Sequence, residues 1–117
     1  MIKYATMVVE GSSMEPTYRA GDWLMGCWAT YLIEGQPQTK GLLRHKVKVG
    51  DIVVVEREVQ PGIFYVKRVK EAQLTSGGGA QIFVESDNPA GTDSRQWGWL
   101  PITSVKARIK FRLKRAR

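Results

Sequence analysis

The sequence predicts an all-β fold, a compact barrel or sandwich of short, mostly antiparallel strands, and three observations predict it. Gly- and Pro-containing turn signals recur at short intervals, and helical periodicity is almost absent. Residues 105–113 also alternate, with Val105, Ala107, Ile109, Phe111 and Leu113 on one face and basic residues on the other. Many short strands joined by such turns close into barrels or sandwiches. At 117 residues, the chain reads as one domain spanning 1–117.

The elements follow in order. Tyr4–Val9 is a short β-prone run that stops at Gly11. Gly21-Asp22 opens a second apolar run, Trp23–Ile33, with a break expected near Ala29. Glu34–Lys46, with Gly35, Pro37, Lys40 and Gly41, reads as an exposed loop. Ile52–Arg57 and Ile63–Val69 flank Gln60-Pro61-Gly62 and form a predicted hairpin. Ser76–Gly79 is a turn, Gln81–Glu85 a strand, and Ser86–Asp93 a loop. The tail is a strand with one buried and one basic face.

Charge and composition exclude several classes. The last 24 residues hold eight of the 18 Lys and Arg and none of the 11 Asp and Glu, so the net charge of +7 is a feature of the C-terminal segment. No apolar run in these residues approaches the ~20 needed for a spanning helix, and Met1–Val9 does not read as a signal peptide. The expectation is therefore a cytoplasmic protein. One cysteine, Cys27, and one histidine, His45, provide neither a disulfide framework nor a zinc site. His45, set among Arg44, Lys46 and Lys48, is a poor candidate for a triad base.

Three segments carry chemistry. In Val9-Glu10-Gly11-Ser12-Ser13-Met14-Glu15-Pro16-Thr17, a serine at a strand end is held in a turn between Gly11 and Pro16. In Phe64-Tyr65-Val66-Lys67-Arg68-Val69, alternation places Lys67 opposite Arg68. An inward lysine is favoured as the neutral amine, which can take a proton from a serine hydroxyl. The bland alternative is that Lys67 snorkels to the surface. Lys70, three residues on, faces away from Lys67. The third segment, Ser86 to Pro101, packs hydroxyls, carboxylates and Arg95 just ahead of Trp97 and Trp99.

In this order, over residues 8–101, the three segments and Gly50-Asp51-Ile52-Val53-Val54 resemble the signal-peptidase clan of serine/lysine proteases. An insertion-like stretch near Cys27–Val47 interrupts the likeness, and Ser86 stands where the last box usually begins with Gly. The resemblance implies an all-β catalytic core of the signal-peptidase and self-cleaving-repressor type. It implies Ser13 as nucleophile, Lys67 as general base, the Ser13 backbone N–H as oxyanion donor, and no cofactor or metal. Gly11 replaces a hydroxyl residue of some relatives and cannot help hold the oxyanion. Thr92, or else Ser94, would orient the lysine, and Asp93 would pair with Arg68 and Arg95. Met7, Val8, Val9 and Met14 would line the path of an extended peptide.

Among these proteases, Val8-Val9-Glu10-Gly11, Gly21-Asp22-Trp23-Leu24 and Glu85-Ser86-Asp87-Asn88-Pro89-Ala90 most resemble the anchor-free group that removes a leader from nickel-type superoxide dismutase precursors. The alternative is a signal peptidase that docks peripherally to an anionic membrane through Lys106, Arg108, Lys110, Arg112, Lys114, Arg115 and Arg117, with Trp97 or Trp99 at the rim. Self-cleaving repressors fit less well, because no helix-turn-helix segment is present. A nucleic-acid-binding β-barrel is the rival from another class. Its weakness is that the basic residues crowd one strand while the aromatics are scattered.

Overall fold

The computed structural model describes residues 2–37 and 45–117. Nine strands follow one another: β1 (Lys3–Val8), β2 (Trp23–Trp28), β3 (Tyr31–Leu32), β4 (His45–Lys46), β5 (Ile52–Glu56), β6 (Phe64–Leu74), β7 (Ala80–Glu85), β8 (Leu100–Pro101) and β9 (Val105–Lys114). Seven form one antiparallel sheet in the order β1-β2-β9-β5-β6-β7-β8, curled into a half-barrel. β3 and β4 form a separate two-residue parallel ladder. The fold is all-β, as the turn spacing predicts.

Three local expectations are corrected. Lys40, Gly41 and Arg44 lie outside the described residues, but His45 and Lys46 are paired strand and not loop. The hairpin of β5 and β6 forms as expected, yet β6 runs on to Leu74 because β7 gives its far half a partner. In β9 the clean alternation fails. Register shifts against β2 pair Gly26 with Ile109, Met25 with Phe111 and Leu24 with Arg112. Because paired residues share a face, the bulge turns Phe111 outward and Arg112 inward.

The core lies inside the curl. Val53, Val55, Val69, Ile82, Val84 and Val105 are fully buried there and pack with Tyr31 and Val47. β-branched side chains suit this pleated layer, and each fully buried valine contributes about 1.5 kcal/mol or more. Lys67 pairs with Val53 across β5 and β6, so the sheet directs its stem into the same layer.

Candidate active site

The serine sits on a loop pinned from several sides. Residues 9–22 leave β1 and return to β2, and the neck is closed by Val9 N–H donating to Asp22 O (2.9 Å) and Gly21 N–H donating to Val9 O (2.8 Å). Gly11 has φ of +74°, a left-handed turn that a side chain would strain. Met14 is buried and plugs the loop onto the core. From the last loop, the Asn88 backbone N–H donates to Ser13 O (2.9 Å) and its side-chain amide to Ser12 O (3.0 Å). The Thr17 hydroxyl donates to Asp87, while Arg112 donates to Thr17 O (3.0 Å) and to Asp22 (3.4 Å). Among the described residues no backbone acceptor takes the Ser13 N–H.

The lysine is inward, not snorkelling. Lys67 is 2% exposed, and its amine lies 5.6 Å from the Tyr65 ring centre and 5.9 Å from that of Trp97. It donates to Ser86 Oγ at 2.9 Å. Burial pulls its pKa below the ordinary lysine value; the Asp93 carboxylate opposes that shift, and the Arg95 guanidinium adds to it. Lys70 is exposed, as expected.

The last loop departs from expectation in two ways. Asp93 does pair with Arg95, which grips both carboxylate oxygens at 2.9 and 2.7 Å, but Arg68 binds Asp87 instead, with two contacts of 2.8 Å. The cause is alternation: Arg68 points away from Lys67, toward Asp87, while Asp93 lies on the lysine side. Nor do Thr92 or Ser94 meet the lysine. Ser94 Oγ accepts from Val84 N–H (3.0 Å), Thr92 offers its carbonyl to Ser86 Oγ (3.5 Å), and Ser86 holds the amine.

Asp93 organises this loop. Fully buried, it accepts from Ser86 N–H (2.7 Å) and Arg95 N–H (2.9 Å). It caps a single helical turn, α1 (Ser94–Trp97), with Gln96 closing the box from the other side. Burial raises its carboxyl, but the hydrogen bonds from Arg95 and the two backbone N–H groups outweigh that and hold it below the usual carboxylate range.

Beside Ser13 opens an apolar cleft of about 200 Å³. Met7, Val8, Val9 and Met14 line it, all four placed there by the sequence reading. Trp28, Val54, Phe64, Tyr65 and Val66 also line it. These were missed because β5 and β6 face the cleft only through the curl of the sheet, which no local pattern shows. Among the described residues β1 is the sheet edge, and no strand pairs with its outer side, where an extended peptide could add. Among the described residues no group of three or more His, Cys, Asp or Glu could hold a metal ion.

No curated protein matches the chain closely. A model of the family described as signal peptidase, peptidase S26, matches residues 1–70, a stretch that contains Ser13, the cleft-lining part of β1, and Lys67. That match covers more than half of the chain, on the all-β sheet just described, and the chain belongs to the peptidase S26 (signal peptidase) family.

Proposed function

We propose that this peptidase is a Ser13/Lys67 endopeptidase that removes an N-terminal leader, and that its substrate is the precursor of a nickel-type superoxide dismutase. The burial of the Lys67 amine against Ser86, whose hydroxyl and Ser13 Cβ both border Gly91, is the observation that supports the dyad. The neutral amine takes the Ser13 proton as Oγ attacks the peptide carbonyl, and the Ser13 N–H meets the oxyanion. The amine then protonates the leaving nitrogen, and water hydrolyses the acyl-enzyme. The peptide lies extended along the outer edge of β1, with a small side chain just before the cut, as in the family.

The substrate rests on the resemblance in residues 8–11, 21–24 and 85–90. Its test is incubation with a nickel-type superoxide dismutase precursor, followed by mass measurement of the new N-terminus. The expected product lacks the leader, and replacing the residue before the cut by Phe slows the reaction at least tenfold. An uncut precursor, alongside efficient cutting of a secretory signal peptide, overturns this substrate.

A second reading, a signal peptidase held at an anionic membrane, is favoured by one sheet face. Register aligns Val8, Trp23 and Lys114 in one row and Thr6, Met25 and Phe111 in the next. Tyr4, Val8, Trp23 and Phe111 are exposed there, with Lys110, Arg115 and Arg117 also exposed on the same tail. The patch differs from the expected one. Lys106 faces Glu56 at 3.9 Å, Arg108 donates to Lys46 O, and Arg112 is turned in. Trp97 packs on Tyr65, and Trp99 on Phe83 beside β8, so neither lies at this rim. Four cations worth about 1 kcal/mol each near anionic lipid give weak binding that salt removes. Co-sedimentation with anionic vesicles at low salt, lost at high salt and in a Lys110→Glu/Lys114→Glu variant, supports this reading. Protein that stays in solution with anionic and neutral vesicles alike ends it.

A further inference from the structure

We infer that the indole N–H of Trp28 is a specificity-determining donor of the cleft, and that it selects leaders with a neutral side-chain oxygen, a hydroxyl or an amide, at the third or fifth residue before the cut. The inference rests on the reading above of this cleft as the peptide site of Ser13. Among the described residues, Trp28 Nε1 is the one buried side-chain nitrogen or oxygen without a hydrogen-bond partner. A donor shut away from water and from protein acceptors destabilises the empty cleft, and a ligand that brings an acceptor relieves it. Trp28 also lies in the stretch Cys27–Val47 that interrupts the likeness to the signal-peptidase clan, so the family pattern does not account for the donor.

The site is built on the inner face of β1 and β2. Register sets Met7 opposite Leu24 and Ala5 opposite Gly26, and alternation brings Trp28 onto the same face as Gly26. With no side chain at 26, the space above it is shared. A Cβ there would stand 2.8 Å from Met7 Cε and 3.5 Å from Trp28 Nε1. The Met7 methyl and the indole nitrogen thus border one small volume. Phe64 holds the indole from the side, nearly perpendicular to it, with ring centres 5.6 Å apart. Met7 is half-buried and unbranched, which makes it the wall that can yield. A peptide side chain that displaces its methyl meets the N–H.

Strand geometry sets the reach. Val9 marks the Ser13 end of β1, Met7 lies two residues back, and Ala5 lies four back. A peptide extended beside β1 keeps the same alternation, so the residue just before the cut shares a face with the third and fifth before it. Glu10 is the one charged residue lining the cleft. A single neutral donor among apolar walls does not offset the burial of a carboxylate, and Glu10 repels one, so the acceptor is uncharged.

The test uses two pairs of junction peptides, one pair built on a nickel-type superoxide dismutase precursor and one on a secretory signal peptide. Each peptide has Ala before the cut and either Val or Thr at the third and fifth places, two side chains of nearly the same shape. In isotope-labelled Ser13→Ala protein, the assigned indole proton of Trp28 should move downfield with a Thr peptide and not with its Val partner. In cleavage, the Thr-to-Val ratio of kcat/KM should be about threefold to tenfold higher in wild type than in Trp28→Phe, the scale of one hydrogen bond. The indole measurement keeps Trp28 in place, so it decides the matter even if Trp28→Phe does not fold. Asp at these places should be cut more slowly than Thr, and an Asp peptide cut faster overturns the choice of an uncharged acceptor. Equal ratios in the two proteins, or an indole proton that answers Thr and Val alike, overturns the inference while leaving the dyad standing. Wild type that cuts neither pair, or Ser13→Ala that cuts either, overturns the Ser13/Lys67 reading, and the indole shift then decides the Trp28 inference by itself.

Discussion

Ser13→Ala and Lys67→Met should each reduce peptide cleavage by about a thousandfold or more, the range seen when a nucleophile or its base is removed. Both should leave the melting temperature near wild type, because Ser13 lies on a surface loop and methionine fills the volume of the buried lysine stem. Lys67→Ala should be equally inactive but less stable, since it leaves a cavity among Val53, Tyr65 and Trp97. Lys67→Arg should be inactive too, because a guanidinium does not give up its proton at usable pH. Lys70→Ala, at an exposed position, should be active. The pH profile follows from the direction of the lysine shift. Burial lowers the Lys67 pKa, and only the neutral amine accepts the serine proton, so the rate should climb with pH and level off below the ordinary lysine pKa. A rate that falls from pH 6 to 9 in folded protein, or an inactive Lys70→Ala beside an active Lys67→Ala, would falsify the assignment of the base.

Asp93→Ala should have the largest effect on stability of any single change in the last loop. The carboxylate is fully buried, and its removal leaves the N–H groups of Ser86 and Arg95 without an acceptor and α1 without its cap. The expected loss is about 3 kcal/mol, the low end for breaking a buried pair, because Arg95 is partly exposed and can turn to water. Activity should fall with it, since the same loop places Ser86 on the lysine. The sign of the pH effect is fixed by the lowered carboxyl pKa. Its stabilisation is present in full above the unfolded aspartate value of about 3.9 and is lost as pH falls through the lower folded value. Wild type should therefore lose this contribution between pH 4 and lower pH, and Asp93→Ala should show no such loss. Denaturant midpoints measured at pH 7 and pH 3 check both statements. A variant within 0.5 kcal/mol of wild type at pH 7 would show that the cap matters little.

Much of this site can be read from the residues, and what cannot has physical causes. Lys67 is legible in part: alternation sets it opposite Arg68 but leaves snorkelling open, and the inward reading comes from the resemblance to serine/lysine proteases. The turns that bound β5, β6 and β7 are legible from local sequence alone. The bulges of β9 are not, because they depend on which partner strand arrives and in what register, and so Arg112 and Phe111 exchange faces unannounced. The choice among Thr92, Ser94 and Ser86 is equally non-local, since loop closure decides which hydroxyl reaches the amine. One signal was present and unused. Asp93-Ser94-Arg95-Gln96 has the spacing of a capping box, which foretells both α1 and the buried carboxylate.

The place of β9 in the sheet has a consequence for the order in which this protease becomes a protease. β9 comes last of the strands, yet it lies between β2 and β5. Among the described residues, β1 and β2, which bracket the Ser13 loop, have no other strand through which to join the half that carries Lys67. During synthesis, Ser13 and Lys67 both emerge well before residues 105–114, but the sheet that joins β1 and β2 to β5 and β6 cannot close until those residues arrive. Pairings between positions so distant in sequence are slow to form and form late. A chain still lacking residues 105–114 thus has no strand to join β2 to β5, and the latch is the strand order itself.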